Sequence, residues 1–105
     1  MKLTRNEEIL LLTIWRLHDN AYGVTIKMQI KETTGKDWNY GTLYFTLDQL
    51  VKKGLLDKEE SQPLAERGGR RKIFYQLSEA GIDALAILRE ENQALWADLR
   101  PFVRS

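Results

Sequence analysis

Apolar residues at helical spacing occupy the first part of the chain, directly after a helix-start signal. Thr4 and Glu7 have the spacing of a capping box, in which the Thr hydroxyl accepts the Glu amide and the Glu side chain reaches back. The apolar stripe that follows contains Ile9, Leu10, Leu12, Ile14 and Leu17. Polar residues 18–20 interrupt it, so the spacing predicts a core helix that ends near residue 18.

Residues 24–31 alternate between apolar and polar without interruption. Such alternation is typical of a half-buried strand. A helix is the competing interpretation, because Ile26 and Ile30 lie four residues apart, the polar residues between them are good helix formers, and Gly35 follows as a stop. The pattern alone favours the strand, and both interpretations stay open at this point.

A third helix is predicted to begin after Asn39, which is a good N-cap residue, and to end at Gly54. Its spacing predicts an inward face made of Leu43, Leu47, Leu50 and Val51. The opposite face is unusually aromatic for a surface, with Tyr40, Thr42, Tyr44, Phe45, Asp48 and Lys52. Either this is a binding face, or the rings pack in a way that the periodicity does not reveal.

Two short strands with a cationic loop between them are predicted next. Residues 55–61 form the first, and residues 72–78 form the second, with a core face drawn from Ile73, Tyr75 and Leu77. Residues 61–78 carry four cations against one anion. The pattern therefore indicates a hairpin with a long basic tip, whose alternative interpretation is an ordinary solvated turn.

The last predicted helix is capped by Ser78 and carries a coiled-coil seam. The seam positions are Leu85, Leu88, Asn92, Leu95, Leu99 and Phe102. A stripe that extends beyond a small domain indicates a partner helix, although it could also pack back on its own domain. Pro101 predicts a kink or an end near Arg100.

Composition limits the classes of protein that remain. The chain has 105 residues, no cysteine, a net charge of +1 and no apolar run near the roughly 20 residues of a membrane span. We expect a cytoplasmic protein without a metal or cofactor. His18 is the only histidine, and no catalytic triad or metal-binding motif can be assembled, so we expect no enzymatic activity.

Three helices, a hairpin and a further helix predict a mainly α fold with a small β-hairpin, a winged helix-turn-helix followed by a C-terminal dimerisation helix. Residues 1–78 would form the DNA-binding part and residues 79–105 the dimerisation helix, together in one compact domain. In this fold a helix enters the major groove, and glycines at the wing tip let the main chain approach phosphates while arginines neutralise them.

Four segments make the chain resemble the PadR family of bacterial transcriptional regulators over roughly residues 4–100. They are Tyr22-Gly23, Gly41-Thr42-Leu43-Tyr44, Gly54-Leu55-Leu56 and the block from Gly69-Arg70-Arg71-Lys72 to Glu79-Ala80-Gly81. The resemblance implies a helix rather than a strand at residues 24–31. It also implies a homodimer that binds an inverted-repeat operator and usually represses transcription.

The resemblance places the DNA contacts on the third helix and the wing. The candidates are Asn39, Tyr40, Thr42, Tyr44, Phe45, Gly69, Arg70, Arg71 and Lys72. Phe45 stands where many relatives have proline, which leaves the base preference at that end of the helix unassigned. An alternative function is a dimeric winged-helix module that binds protein and not DNA, and the charge on the face shared by the third helix and the wing discriminates the two.

The C-terminal helix resembles that of the short-tailed branch of the family, in which it pairs with its symmetry mate and with the first helix. The seam residues named above would form that interface, with Asn92 setting the register. A small hydrophobic effector would stack on Trp15 and Trp96. The alternative is that both tryptophans are simply part of the interface core.

Overall fold

The computed structural model describes residues 2–61 and 72–100. The helices are α1 (Arg5–Leu17), α2 (Gly23–Thr34), α3 (Tyr40–Lys52) and α4 (Glu79–Trp96), and a 3-10 turn (His18–Asn20) follows α1. The strands β1 (Leu56–Glu60) and β2 (Ile73–Leu77) form an antiparallel pair. The predicted fold class, mainly α with a small hairpin, is confirmed. Among the described helices, none is both long and apolar enough to cross a membrane.

The predicted capping box at the start of α1 is present, and the Glu7 side chain that forms part of it is buried. The Glu7 amide donates to the Thr4 hydroxyl at 3.1 Å, and the Thr4 amide donates to the Glu7 carboxylate at 2.9 Å. The same buried carboxylate accepts from the Lys53 ammonium group at 2.6 Å. Lys53 is the C-cap of α3, so this ion pair joins the start of α1 to the end of α3.

Residues 24–31 lie within α2, so the strand that their alternation favours is wrong. Only Ile26 and Ile30 of the four apolar residues in the segment are buried, while Val24 and Met28 are exposed. Gly35 ends the helix in the left-handed conformation with φ 75°, where glycine is favoured. The alternation therefore arises from two exposed apolar side chains and not from a buried strand face.

The core lies where α1, α2, α3 and the hairpin meet. Its fully buried members include Leu10, Leu11, Ile14, Ile26, Ile30, Leu43, Leu47, Leu50, Leu55 and Leu56. Val51, predicted to be part of the inward face of α3, is only partly buried. On β2, Tyr75 is buried as predicted, whereas Ile73 and Leu77 are half-buried and pack against the core from its edge.

The hairpin is attached to the helices by the connection between α1 and α2. The Tyr75 amide donates to the Ala21 carbonyl at 2.8 Å, and Tyr22 forms an isolated antiparallel bridge with Phe74. The residues before α2 thus act as a third, very short strand beside β2. This pairing fixes the hairpin against the helices, which a two-stranded sheet alone would do poorly.

The start of α4 is packed tightly onto the turn after α3. The Ser78 hydroxyl donates to the Gly54 carbonyl at 2.6 Å and accepts from the Gly81 amide at 3.1 Å. The Ser78 amide donates to the Leu55 carbonyl at 3.1 Å. A Cβ on Gly81 would overlap that same carbonyl oxygen, so only glycine allows α4 to approach this closely.

The far end of α4 differs from the sequence prediction. The helix ends at Trp96 and not near Arg100, because Ala97 is extended and Asp98 has φ 61°. Asp adopts this left-handed conformation more readily than most residues do. Leu99, predicted as a seam position, therefore lies outside the helix, and Phe102 lies outside the described residues. Leu85 packs against the core, whereas residues 89–100 are exposed.

The buried Glu7–Lys53 ion pair predicts a loss of stability in acid. Burial opposes the charge on Glu7, but the hydrogen bonds from Lys53 and Thr4 outweigh it and lower the pKa of Glu7 below its ordinary value of 4.5. The unfolded chain therefore takes up this proton at a higher pH than the folded chain does. The resulting stabilisation is complete above about pH 5 and is lost as the pH falls through the folded pKa.

Glu7→Gln should lower the free energy of unfolding near pH 7 by about 2 kcal/mol, because Lys53 loses its charged partner. It should also make the acid dependence shallower, as measured by urea denaturation at a series of pH values. Glu8→Gln is the matched control, since Glu8 pairs with the exposed Arg5 and should change stability by less than about 1 kcal/mol. Equal losses in the two variants would contradict this account.

Candidate nucleic-acid interface

The outward face of α3 carries the aromatic side chains that the spacing predicts there. Leu43, Leu47 and Leu50 are fully buried on the inward face. Tyr40, Tyr44 and Phe45 are exposed on the rest of the helix surface. The prediction that this face is not part of the core is therefore confirmed for all three rings.

Asn39 caps α3 through its side chain. Its Oδ1 accepts a hydrogen bond from the Thr42 amide at 2.7 Å. Thr42 is half-buried, and its carbonyl accepts from the Thr46 hydroxyl at 2.8 Å. Of the two predicted contact residues at this end, Asn39 thus has its acceptor oxygen committed to the helix start.

Tyr40 and Tyr44 stack on each other one turn apart and carry a cation from α2. Their ring centroids lie 6.0 Å apart with an interplanar angle of 20°. The Lys27 ammonium group lies 5.3 Å from the centre of the Tyr40 ring, and it donates to the Asp37 carboxylate at 2.7 Å. That hydrogen bond raises the pKa of Lys27 and lowers the pKa of Asp37.

The Tyr44 side chain lies directly over the first residue of α2. A Cβ built on Gly23 would overlap the Tyr44 hydroxyl, and it would come within 3.0 Å of Cζ. Gly23 is buried, so the missing side chain is what allows the ring to sit at the start of α2. The Tyr44 hydroxyl is thereby placed beside the first turn of α2, where backbone amides lack helical partners.

The base of the wing joins the same surface through Tyr22. The Tyr22 ring packs edge-on against Phe74 with a centroid distance of 5.3 Å. The Lys72 ammonium group lies 4.5 Å from the centre of the Tyr22 ring. Backbone and side-chain hydrogen bonds between Ser61 and Lys72, at 2.8 and 3.0 Å, close the base of the loop.

The predicted contact residues fall into three groups. Tyr40, Tyr44 and Lys72 come together around the start of α2, and Phe45 lies with Asn39 and Thr42 along a groove beside the start of α1. Gly69, Arg70 and Arg71 lie outside the described residues. The sequence prediction missed Lys27 as a residue of this surface. Its only signal in the sequence is that it is a cation on the helix next to the aromatic face.

The charge on this face is mixed. Lys27 and Lys72 are its positioned cations, and Asp48 follows Tyr44 by one turn of α3. Burial raises the pKa of Tyr75, and the charge of Asp48 adds to that increase. The phenol of Tyr75 is thus harder to ionise than an ordinary tyrosine, which is already neutral near pH 7.

A second surface feature is an apolar groove of about 950 Å³ between α1 and α4. Trp15 and Trp96, predicted together as an effector pair, both line it, and both are exposed. Three predicted seam residues also line the groove: Leu85, Leu88 and Asn92. Leu95 and Leu99 are exposed but do not line it. Among the described side chains, no group of three or more potential metal ligands is found.

Comparison with known proteins gives one family-model match and a set of similar solved structures. The model of the transcriptional regulator PadR-like family matches residues 11–87. No curated protein gives a match to the chain. The complex structure of RosR-S1 from H. salinarum is 33% identical, with 91% of this chain and 79% of that chain covered and a TM-score of 0.73.

Two further solved structures support the same fold. A PadR family transcription regulator from hypervirulent Clostridium difficile is 29% identical, with 85% of this chain and 88% of that chain covered and a TM-score of 0.71. F93 from STIV, a winged-helix DNA-binding protein, is 22% identical, with coverages of 94% and 100% and a TM-score of 0.70. The F93 likeness shows a shared winged-helix fold.

The contact between Gly23 and Tyr44 predicts an energetic coupling between α2 and α3. Gly23→Ala should lower the free energy of unfolding by up to about 1 kcal/mol, because the new methyl group displaces the exposed end of the Tyr44 ring. In a Tyr44→Ala background the same substitution should cost nothing, since the space is then empty. Urea denaturation of the four proteins of this double-mutant cycle measures the coupling.

Gly41→Ala provides the control for this cycle. A Cβ there would meet only the Asn39 Oδ1, at 3.2 Å, and no part of Tyr44. Its effect on stability should therefore be the same with and without the Tyr44 side chain. A Gly23→Ala cost that is independent of Tyr44 would disprove the coupling.

Proposed function

Since the chain belongs to the PadR-like family of transcriptional regulators, we propose that it is a sequence-specific DNA-binding repressor that acts as a homodimer on an inverted-repeat operator. The observation that carries this proposal is the surface around the start of α2. There, the Tyr40 ring of α3 lies beside Lys27, and the Tyr22 ring of the α1–α2 connection lies beside Lys72.

The dimensions and chemistry of this surface suit duplex DNA. A helix with its side chains fits the major groove, and α3 offers an outward face with hydroxyl and aromatic groups. Lys27 and Lys72 flank that face from α2 and from the wing. The start of α2 carries the positive end of its helix dipole, which favours an anion such as a phosphate.

The wing tip supplies the remaining cations in this proposal. Arg70 and Arg71 follow Gly69 and precede Lys72 directly in the sequence. The position of Lys72 at the base of the wing supports a role for its neighbours at the DNA backbone. Contacts to phosphates position a protein on DNA without reading the sequence, so the wing would add affinity and α3 would add specificity.

The apolar groove between α1 and α4 supports the homodimer. It exposes Leu12 and Trp15 from α1 beside Ile82 and Trp96 from α4. An exposed apolar surface that continues along a helix favours burial against another copy of the same helix. Asn92 would then set the register of the pair.

We place the proposed small hydrophobic effector in the same groove. Trp15 and Trp96 line it from two different helices, which is the arrangement that a planar ligand would need to stack between protein rings. An effector bound there would lie between the two copies of the dimer. It could then change the spacing of the two α3 helices without touching DNA.

Selection of bound fragments from random DNA tests the proposed function directly. Two half-sites in inverted orientation, separated by about one helical turn between centres, are the expected result. Enrichment of no sequence at all would refute it and would favour the alternative protein-binding module.

The duplex that is enriched most then provides a test of the wing. Arg70→Ala with Arg71→Ala should weaken binding to all sequences and should flatten the dependence of log Kd on log salt by roughly 0.9 for each phosphate that is no longer neutralised. Arg16→Ala is the control, because it removes an exposed cation from α1, and α1 carries none of the proposed DNA contacts. An unchanged salt slope in the double variant would refute the role of the wing.

Charged residues in the seam should separate the two copies. Leu88→Asp with Leu95→Asp is expected to give monomers in light scattering and to abolish tight binding to the inverted repeat, because two carboxylates would be buried without partners. Ile87→Asp with Ala94→Asp has the same spacing on the same helix but lies off the predicted seam, and it should leave the dimer intact. A monomeric wild-type protein would end the dimer proposal.

A further inference from the structure

We infer that Phe45 is a specificity-determining residue that contacts the methyl group of a thymine in the major groove. The inference rests on the proposed DNA binding, and it assigns a base preference to the position where many members of the family have proline. It is carried by where the ring lies on α3, by what surrounds it and by the chemistry of the base edges.

Phe45 lies close to the centre of the outward face of α3. At about 100° per residue, it is displaced around the helix axis by roughly 160° from Leu43 and roughly 140° from Leu50. Both of these leucines are fully buried. The Phe45 side chain therefore points away from the core, and it is 66% exposed.

The ring of Phe45 has no aromatic partner in the parts of the chain that the structure describes, in contrast to Tyr40 and Tyr44. Tyr40 and Tyr44 stack together on the side of α3 that faces α2. Phe45 lies away from this stack, along a groove of about 890 Å³ between α3 and the start of α1. The exposed surface of this ring is therefore available to a molecule that binds α3, because packing within the domain does not cover it.

The chemistry of the ring selects one of the four bases. A phenyl group neither donates nor accepts a conventional hydrogen bond, so it gains nothing from the polar atoms of the base edges and loses energy when it strips water from them. Thymine alone presents an apolar substituent in the major groove, the methyl group on C5. The favourable partner of Phe45 is therefore a thymine, and cytosine, which lacks that methyl group, is the unfavourable alternative.

The neighbours of Phe45 are suited to read the bases beside that thymine. Thr42 precedes it by three residues and Gln49 follows it by four, so the three side chains form one stripe along the helix. All three line the same groove. Thr and Gln side chains can both donate and accept hydrogen bonds. The stripe therefore has one apolar side chain between two polar side chains that can contact base edges.

The test removes the thymine methyl group without changing base pairing. In the duplex most enriched from random DNA by the wild-type protein, each thymine is replaced in turn by deoxyuridine, and Kd is measured by fluorescence anisotropy. One position in each half-site should weaken wild-type binding about fourfold, the effect expected for one buried methyl group. Phe45→Ala should bind the thymine and deoxyuridine duplexes equally at that position.

Met28→Ala is the matched control, because Met28 is also 66% exposed but lies on α2. This variant should keep the fourfold preference for thymine. Thermal unfolding should show that Phe45→Ala remains folded, since its side chain is outside the core.

Two outcomes would overturn the inference while leaving the proposed function intact. One is selective DNA binding in which no deoxyuridine substitution matters. The other is a thymine preference that Phe45→Ala retains, which would assign the methyl contact to another residue. The absence of any selective DNA binding would instead overturn the proposed function, and the role of Phe45 with it.

Discussion

The connection between α1 and α2 positions both elements of the candidate interface, and the rest of the site depends on it. In three successive residues, Ala21 accepts a backbone hydrogen bond from β2, Tyr22 packs on Phe74, and Gly23 admits the Tyr44 ring. The wing and α3 are thus both held to one short segment. Each of these contacts is worth about 1 kcal/mol. Together they set the distance between the wing and α3, to which DNA binding is sensitive.

A second group of contacts holds the opposite end of the domain. The Gly54 and Leu55 carbonyls accept from Ser78, and Gly81 lets α4 approach the same turn. Because this turn follows α3 directly, α4 is connected to α3 through backbone hydrogen bonds and close packing. The start of α4, whose Ile82 lines the groove, is therefore fixed to the end of α3.

Local rules predicted the helix starts well and the contacts between distant residues poorly. The capping residues Thr4, Asn39 and Ser78 act on amides within three residues, so the sequence alone reveals them. The alternation at residues 24–31 misled because burial is set by neighbouring helices, and two of its apolar side chains face solvent. Two contacts join residues that are far apart in sequence: Gly23 with Tyr44, and Lys27 with the Tyr40 ring. The periodicity of the sequence does not reveal either of them. The wing residues Gly69, Arg70 and Arg71 remain predictions.

The net charge of +1 bears on how such a protein would discriminate among DNA sequences. Non-specific affinity grows with the number of phosphates neutralised, so a chain with few surplus cations binds random DNA weakly. Here Lys27 and Lys72 lie over tyrosine rings, and because Lys27 already pairs with Asp37, Lys72 is the cation whose position lowers the entropy lost on contacting a phosphate. A small number of cations held in place would fix the position of the protein on the DNA and would add little sequence-independent binding free energy. In the proposed complex, the contacts of α3 with base edges would then make up a larger share of the binding free energy, and a single apolar side chain on that helix would change the preferred sequence.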